Sequence, residues 1–578
     1  MVTLPGNEKD LRTVTPARSD TGSLFAECAR RAARDPALDD LKSLARLADA
    51  RVSQPMRLAV AGQVKRGKST LLNALLGRRV TAVGQLETTY SVTEIYHSDR
   101  PVIRVRYRDG RAPVEYDGAD LARFTVRPEE GDDRLAGVRA VEYGCPAELL
   151  RSFRLVDTPG LASPFGTDSA NTAQYLGISP DDPAVAVLAG ELAATGTDGA
   201  RMHEESVAEL ERADAVLYLF SRALHERDQA AVSDFLGPGR AGGAVMTPLR
   251  AFGVLSRCDQ YWPPARDLPG RPDPLTYDPM EVGRRIATRY LERPEVASAF
   301  YTVVPVAGLL GLGACLMDDE HLTWLRDLAA LTPTVLTRRL RDAALFGTEP
   351  QLPGVTLPPG HRRELADLLG VWGIHLACGY LREGLDPEQV RRNLLHDSGI
   401  GPLRTLVTRH FGNRAGVIKR DHALRDLEAE VARVRLRSQR AHEPPPAPVA
   451  GIADLLDRFR HDDHELQELA VLAAHYRGEL HLSASETTEI LRLTGEFGTS
   501  AFARLGLPEP GDVGALAGAA RARVPHWARR ELDPMLGPAD EFATRVVRHG
   551  YERLERRSAL AADLLGLAPT THRPEDDR

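Results

Sequence analysis

An α/β domain built on a mostly parallel sheet with flanking helices, followed by an all-α half, is the architecture this sequence predicts. Two observations carry the first part. The apolar run Met56–Ala61 enters a glycine loop that opens onto a helical pattern, and further short apolar runs ending near residues 157, 255 and 306 each give way to a polar loop. One observation carries the second part. Beyond the proline-rich stretch 346–360, apolar residues recur at helical spacing.

Taken in order, residues 1–22 are polar with Pro and Gly and predict a disordered tail. Residues 23–54 predict an N-terminal helix of a bundle, with Leu24, Cys28 and Ala32, then Leu41, Leu44 and Leu47, at helical spacing until Pro55 breaks it. The α/β domain is expected over 55–345, a linker or hinge over 346–360, a helical stalk or bundle over 361–566, and a second disordered tail over 567–578.

The glycine loop is the most informative segment. Lys+Arg total 74, yet only Lys9, Lys42, Lys65, Lys68 and Lys419 are lysines, and two of the five stand in Gly62-Gln63-Val64-Lys65-Arg66-Gly67-Lys68-Ser69. A compact ammonium is kept where arginine's broad planar fork does not fit. The spacing G-x-x-x-x-G-K-S lets backbone N–H groups cradle phosphates while Lys68 and Ser69 reach the terminal phosphates and Mg²⁺. Thr70 to Leu76 then forms the helix whose free N–H groups face the ligand, closed by Gly77. The chain therefore reads as a nucleotide-binding protein.

Composition narrows the classes. Hydrophobic content of 43% and charged content of 27% are those of a globular chain, and the net charge of -7 argues against a nucleic-acid coat. Five scattered cysteines without a C-x-x-C pair offer neither a metal nor a disulfide framework. Val296–Met317 carries no charge and has the length of a membrane span. Its glycines and Pro305 instead predict a buried strand, Tyr301 to Val306, and a glycine-rich turn. A cytoplasmic location, peripheral at most on the inner face of the membrane and without a transmembrane segment, is the expectation.

Phe153–Asp157 is an apolar strand leading into Asp157-Thr158-Pro159-Gly160. A carboxylate at that strand end holds Mg²⁺, and the Gly160 N–H senses the γ-phosphate. In Glu87-Thr88-Thr89-Tyr90-Ser91-Val92-Thr93, Thr89 is the candidate to complete the Mg²⁺ shell and align the attacking water, with Thr88 second. Arg250–Leu255 is a strand followed by Ser256-Arg257-Cys258-Asp259. Asp259 can accept both hydrogen bonds of the guanine N1–H and N2–H₂ edge, which adenine cannot offer. Arg257 can cover the base face by stacking. GTP with Mg²⁺ is the nucleotide expected.

These segments, together with Ala213–Phe220, Gly253–Gln260 and Val303–Leu310, resemble bacterial dynamin-like GTPases, in particular the actinobacterial branch of isoniazid-inducible and sporulation-septum dynamin-like proteins. Leu368–Ala377 and Ser398–Leu403 extend the resemblance more weakly. It implies a P-loop GTPase domain plus a helical stalk, and a protein that hydrolyses GTP while pairing or assembling. Homodimerisation through the GTPase face and hetero-oligomerisation with a sibling subunit both remain open. Where animal dynamins carry Gln and Ser, this chain has Val64 and Lys65, so the Lys65 ammonium is the candidate replacement for their charge-offsetting monovalent cation. The departure of Ser256-Arg257 from Asn/Thr-Lys favours a second reading, a slow GTP-binding scaffold or switch.

The stretch 162–199 reads as a long insertion without an assigned role. From Val417 to Arg440 the stripe Leu424, Leu427, Val431, Val434 predicts a pairing helix of about 36 Å, ending in Arg433, Arg435, Arg437 and Arg440. After Pro444-Pro445-Pro446 a second helix is expected over 452–476, and a last one, 540–565, should return to the N-terminal helix. The arginine-rich end offers a contact for anionic lipid, at about 1 kcal/mol per basic residue.

Overall fold

In a computed structural model, residues 20–62, 67–80, 92–107, 109, 111–117, 121, 124, 138–157, 213–220, 247–265, 270, 272–351 and 353–567 are described. Two compact units emerge, one of residues 1–54 and 416–470, the other of 55–415 and 471–578. The first begins with helices α1 (Asp20–Ala32) and α2 (Asp39–Val52). The expected single N-terminal helix is thus broken. Pro36 sits at the start of a short 3₁₀ turn, and the Asp35 carboxylate caps it by accepting from the Ala37 N–H at 3.0 Å.

The second unit holds a nine-stranded sheet. Its strands are β1 (Met56–Gly62), β2 (Val92–His97), β3 (Val102–Tyr107), β4 (Val114–Asp117), β5 (Val138–Cys145), β6 (Phe153–Asp157), β7 (Ala215–Phe220), β8 (Ala251–Leu255) and β9 (Val303–Pro305), in spatial order 4-3-5-2-6-1-7-8-9. β6, β1, β7, β8 and β9 run parallel. β2 joins β6 antiparallel, and β5, β3 and β4 extend that edge. Every residue of β7 and β8 is buried, as strands covered on both faces must be. Each fully covered aliphatic side chain contributes about 1.5–3 kcal/mol before entropy is counted.

Helix α3 (Lys68–Leu76) follows β1. α4 (Pro279–Leu291) and α5 (Pro294–Ala299) precede β9, and α6 (Gly308–Leu316) follows it. The expected glycine-rich turn after β9 is therefore a helix. Its glycines serve close packing rather than turning: a Cβ on Gly313 would lie 2.1 Å from the Leu368 carbonyl oxygen, and one on Gly311 2.4 Å from Ile400 Cγ1. Nine residues cannot cross a bilayer, and among the described residues no helix is long and apolar enough to do so.

α7 (Asp319–Ala329), α8 (Pro333–Leu340), α9 (Ala343–Thr348), α10 (Pro359–Arg382), α11 (Pro387–Asp397) and α12 (Ile400–His410) continue the unit. One apolar core runs from Ala59 in β1 to Leu394 in α11. Phe346 and Leu357, inside the stretch read as a linker, are two of its buried members.

α13 (Ala415–Ala441) and α14 (Pro448–Asp462) supply the rest of the first unit, whose core joins Phe25 and Leu41 with Leu424, Leu427, Val431 and Ile452. Lys419 donates to the Val52 and Gln54 carbonyls at 2.7 and 2.5 Å, capping the end of α2. The helix expected over 452–476 is two, because Asp463 turns extended and its carboxylate accepts from the Glu465 N–H before α15 (His464–Tyr476) begins. α16 (Ala484–Leu493), α17 (Ala501–Leu505), α18 (Val513–Glu531) and α19 (Pro538–Leu564) complete the chain. The last helix, expected beside the N-terminal one, shares its core with α18 and α16 through Ala543, Val547, Tyr551, Trp527 and Ile490. The partners that α1 and α2 find within their own unit are α13 and α14.

Candidate nucleotide-binding site

β1 and β6 are neighbours, with Val60 in register with Asp157, so the glycine loop and Asp157 leave the sheet at the same carboxyl edge. Such edges, where strand order reverses about β1, are where open parallel sheets bind ligands. Gly62 closes β1 at φ +141°, and a Cβ there would meet the Leu219 carbonyl oxygen at 2.9 Å. Gly67 takes φ +92° to start α3. Both positions need glycine.

Lys68 is only 8% exposed and donates to the Gly62 carbonyl at 3.2 Å, folding its chain back across the loop. Burial lowers its pKa, and the nearby Asp157 carboxylate acts against that. Asp157 is fully buried. Ser69 and Asp157 together offer a hydroxyl and a carboxylate oxygen, a donor set suited to Mg²⁺, which keeps waters and phosphate oxygens as its remaining ligands. Among the described residues no cluster of three or more His, Cys, Asp or Glu could hold a metal by itself, so phosphate would have to complete the shell.

The loop that follows β8 lies two strands from β1. Arg257 adopts a left-handed conformation (φ 61°, ψ 35°) that is costly for a residue with a Cβ, and its Nε lies 3.9 Å from where a Gly67 Cβ would be. The loop after β8 thus comes close to Gly67 at the start of α3. The Ser256 hydroxyl donates to the Phe220 carbonyl at 3.4 Å, tying β8 to β7. The Cys258 N–H donates to the Val306 carbonyl at 3.1 Å, fastening this loop to the one after β9. Burial pushes the Asp259 carboxyl up to about 6, against its own backbone N–H and Arg257, which pull it down. The same carboxylate borders an open cleft of about 580 Å³ whose other wall includes Arg363, Asp367 and Gly370 of α10.

Of the residues singled out from sequence, Gly62, Gly67, Lys68, Ser69, Thr70, Asp157, Ser256, Arg257 and Asp259 converge on this edge, and Thr70 packs against the start of α6 near Gly308. Gln63, Val64, Lys65, Arg66, Thr88, Thr89 and Gly160 lie outside the described residues, as does the insertion 162–199. Residues from the two runs of weaker resemblance, and Arg404 just beyond them, pack against its elements. Gly370 faces Asp259, Ser398 accepts from Ala307, and Arg404 reaches the Ala74 carbonyl at the end of α3, beside Cys315. The runs Leu368–Ala377 and Ser398–Leu403 include Gly370 and Ser398, while nothing in the sequence marks Arg404.

Residues 58–219 match the dynamin family. The isoniazid-induced protein IniC of Mycobacterium tuberculosis is 32% identical over 514 residues, spanning 88% of this chain and 90% of that protein. The chain belongs to the dynamin family. Shorter stretches relate it to other proteins. The isoniazid-induced protein IniA of Mycobacterium tuberculosis is 33% identical over 144 residues, 24% of this chain and 22% of that one. Dynamin-like protein 2 of Campylobacter jejuni is 31% identical over 106 residues, 18% and 17% of the two chains. A solved oligomerised bacterial dynamin pair overlays 94% of this chain and 76% of that one at 12% identity and a TM-score of 0.33, too loose for any argument to rest on. The dynamin-family match covers β1, α3 and β6 and ends within β7, so the glycine loop and Asp157 fall inside it while Asp259 lies beyond.

Proposed function

We propose that this dynamin-family chain binds and hydrolyses GTP with Mg²⁺ and couples nucleotide state to self-assembly and membrane association. The observation that carries the proposal is the placement of Lys68, Asp157 and Asp259 at the same carboxyl edge of the sheet, with Arg257 next to Gly67. In this reading the backbone of Gly62–Thr70 cradles the phosphates and the Lys68 ammonium neutralises their terminal charge. Ser69, Asp157 and Thr89 would hold Mg²⁺, which would supply positive charge to offset that of the phosphates. Thr89 orients the attacking water through its carbonyl, Gly160 registers the γ-phosphate, and Lys65 offsets charge growing toward the leaving phosphate. Preorganised groups of this kind each supply about 2.7–4 kcal/mol to a transition state. Asp259 selects guanine and Arg257 covers its face.

The membrane contact rests on the end of α13. There Arg433 and Arg437 both pair with Glu430, at 3.1 and 2.8 Å, while Arg435 and Arg440 form no ion pair among the described residues. A homodimer through the nucleotide face, or a pair with a sibling subunit, would complete the assembly. The second reading, a slow GTP-binding switch or scaffold, draws on Ser256, whose hydroxyl bonds the Phe220 carbonyl. GTP turnover measured across protein concentration, with and without anionic liposomes and beside Lys68→Ala, separates the two. Turnover per molecule that rises with concentration or liposomes and vanishes in the variant supports the first. Tight GTP binding with flat, negligible turnover supports the second.

A further inference from the structure

Four close approaches join elements of the nucleotide site to a single later run of chain. α10 breaks at Gly370 (φ 69°, ψ 167°), a conformation almost confined to glycine, and a Cβ there would lie 3.7 Å from Asp259 Oδ2. At the start of α12 the buried Ser398 accepts from the Ala307 N–H at 2.8 Å. Gly399 follows at φ +76°, so close that a Cβ would fall 2.4 Å from the Pro305 carbonyl oxygen. One turn further, the Arg404 guanidinium donates to the Ala74 carbonyl in the last turn of α3. That carbonyl also accepts from the Gly77 N–H that caps the helix, at 3.3 Å, and a cation there complements the helix dipole. The first turn of the same helix carries Lys68 and Ser69.

These contacts fall on three different loops or helices, and each falls on the part that must hold still for a nucleotide to bind. Asp259 reads the base edge, Pro305–Ala307 leads into the loop bonded to the base-reading loop through Cys258, and α3 aims its N-terminus at phosphate. We infer that the run from Gly370 to Arg404 is a positioning strap for the guanine site, with Gly399 and Arg404 its positioning residues. The inference rests on the reading of Asp259 as the guanine acceptor. Because the strap touches parts of the site shared by GDP and GTP, its loss weakens both nucleotides alike.

The test titrates fluorescent GDP, GTP and ADP against the full-length protein. Wild type, Gly399→Ala, Arg404→Ala and Arg404→Lys are compared with Glu489→Gln, which weakens a bond to the Trp527 indole (2.9 Å) among the C-terminal helices. Arg404→Ala should lose about tenfold in affinity for GDP and for GTP, with Lys restoring most of it. Gly399→Ala should also narrow the preference for GDP over ADP, and Glu489→Gln should bind as wild type does even where its melting point falls. If Gly399→Ala does not fold, the two Arg404 variants decide. Folded Arg404→Ala that binds GDP like wild type overturns the strap and leaves the guanine reading standing. Wild type that does not distinguish GDP from ADP overturns both.

Discussion

Two buried carboxylates at opposite edges of one sheet meet opposite fates. Asp259 follows β8 at the carboxyl edge, and burial pushes its pKa up to about 6. Glu496 lies at the amino edge, where Tyr301 leads into β9. Burial works against it as well, but His410, Arg414 and Tyr301 outweigh that and hold it well below the usual carboxylate range. Arg414 approaches it at 2.7 Å and the Tyr301 hydroxyl donates to it at 2.7 Å, while Arg414 Nε donates to the Thr494 carbonyl and Arg409 to the Glu496 carbonyl. Phe252, Phe411 and Tyr476 pack around the group. The difference lies in who brings the donors. At Glu496 the protein supplies them and the site is structural. At Asp259 only its own backbone N–H and Arg257 act to lower the pKa, and burial outweighs them.

The comparison can be broken in several places. Glu496→Ala should have the largest effect, a loss of about 3–5 kcal/mol in a urea titration, because it strands the buried Arg414 charge. Nucleotide affinity per folded molecule should not change. Lys68→Ala should do the reverse, keeping the unfolding midpoint while costing about 2.7–4 kcal/mol in turnover, read as a fall of two to three decades in initial rate. Asp259→Asn should weaken guanine nucleotides by about 1.5–3 kcal/mol without comparable change for adenine nucleotides, measured by competition. Gly313→Ala should cost about 1–3 kcal/mol in thermal unfolding by forcing α6 away from the Leu368 carbonyl.

Acid sharpens the contrast because the two groups respond with opposite sign. Glu496 ionises more readily folded than unfolded, so its contribution is full above the ordinary carboxylate value of 4.5 and is lost as pH falls further. Asp259 is raised from 3.8 to about 6, so its ionised form carries a penalty that is full above pH 6 and relieved between 6 and 3.8. On the proposed reading, guanine binding needs that ionised form. GDP affinity should be level above pH 6 and fall about tenfold per unit below it, a slope that Asp259→Asn should abolish.

Much of the nucleotide edge was legible because phosphate and base binding require particular backbone at particular spacing. Gly62, Gly67, Lys68 and Asp157 could be named from residue order alone. The Glu496 cluster could not, since Tyr301 and Glu496 stand 195 residues apart and neither type is unusual where it stands. Gly308–Gly313 misled for a different reason. Glycine serves turns and close helix packing equally, and only the Leu368 backbone, itself far along the chain, decides between them. Asp463 split a periodic apolar stripe that by itself reads as continuous, because its side chain caps the helix that follows. The reach of Arg404 to α3 was hidden in the same way, an ordinary arginine distinguished only by the carbonyl 330 residues earlier that it finds.

Four of the five thiols are buried, and the fifth, Cys315, is exposed at the end of α6, its sulfur 3.9 Å from the Arg404 guanidinium and close to Gly77. A maleimide dye added to the native protein would therefore attach at one place, at the far end of the helix whose opposite end carries Lys68. No cysteine has to be introduced or removed to place a single dye beside the C-terminal end of α3.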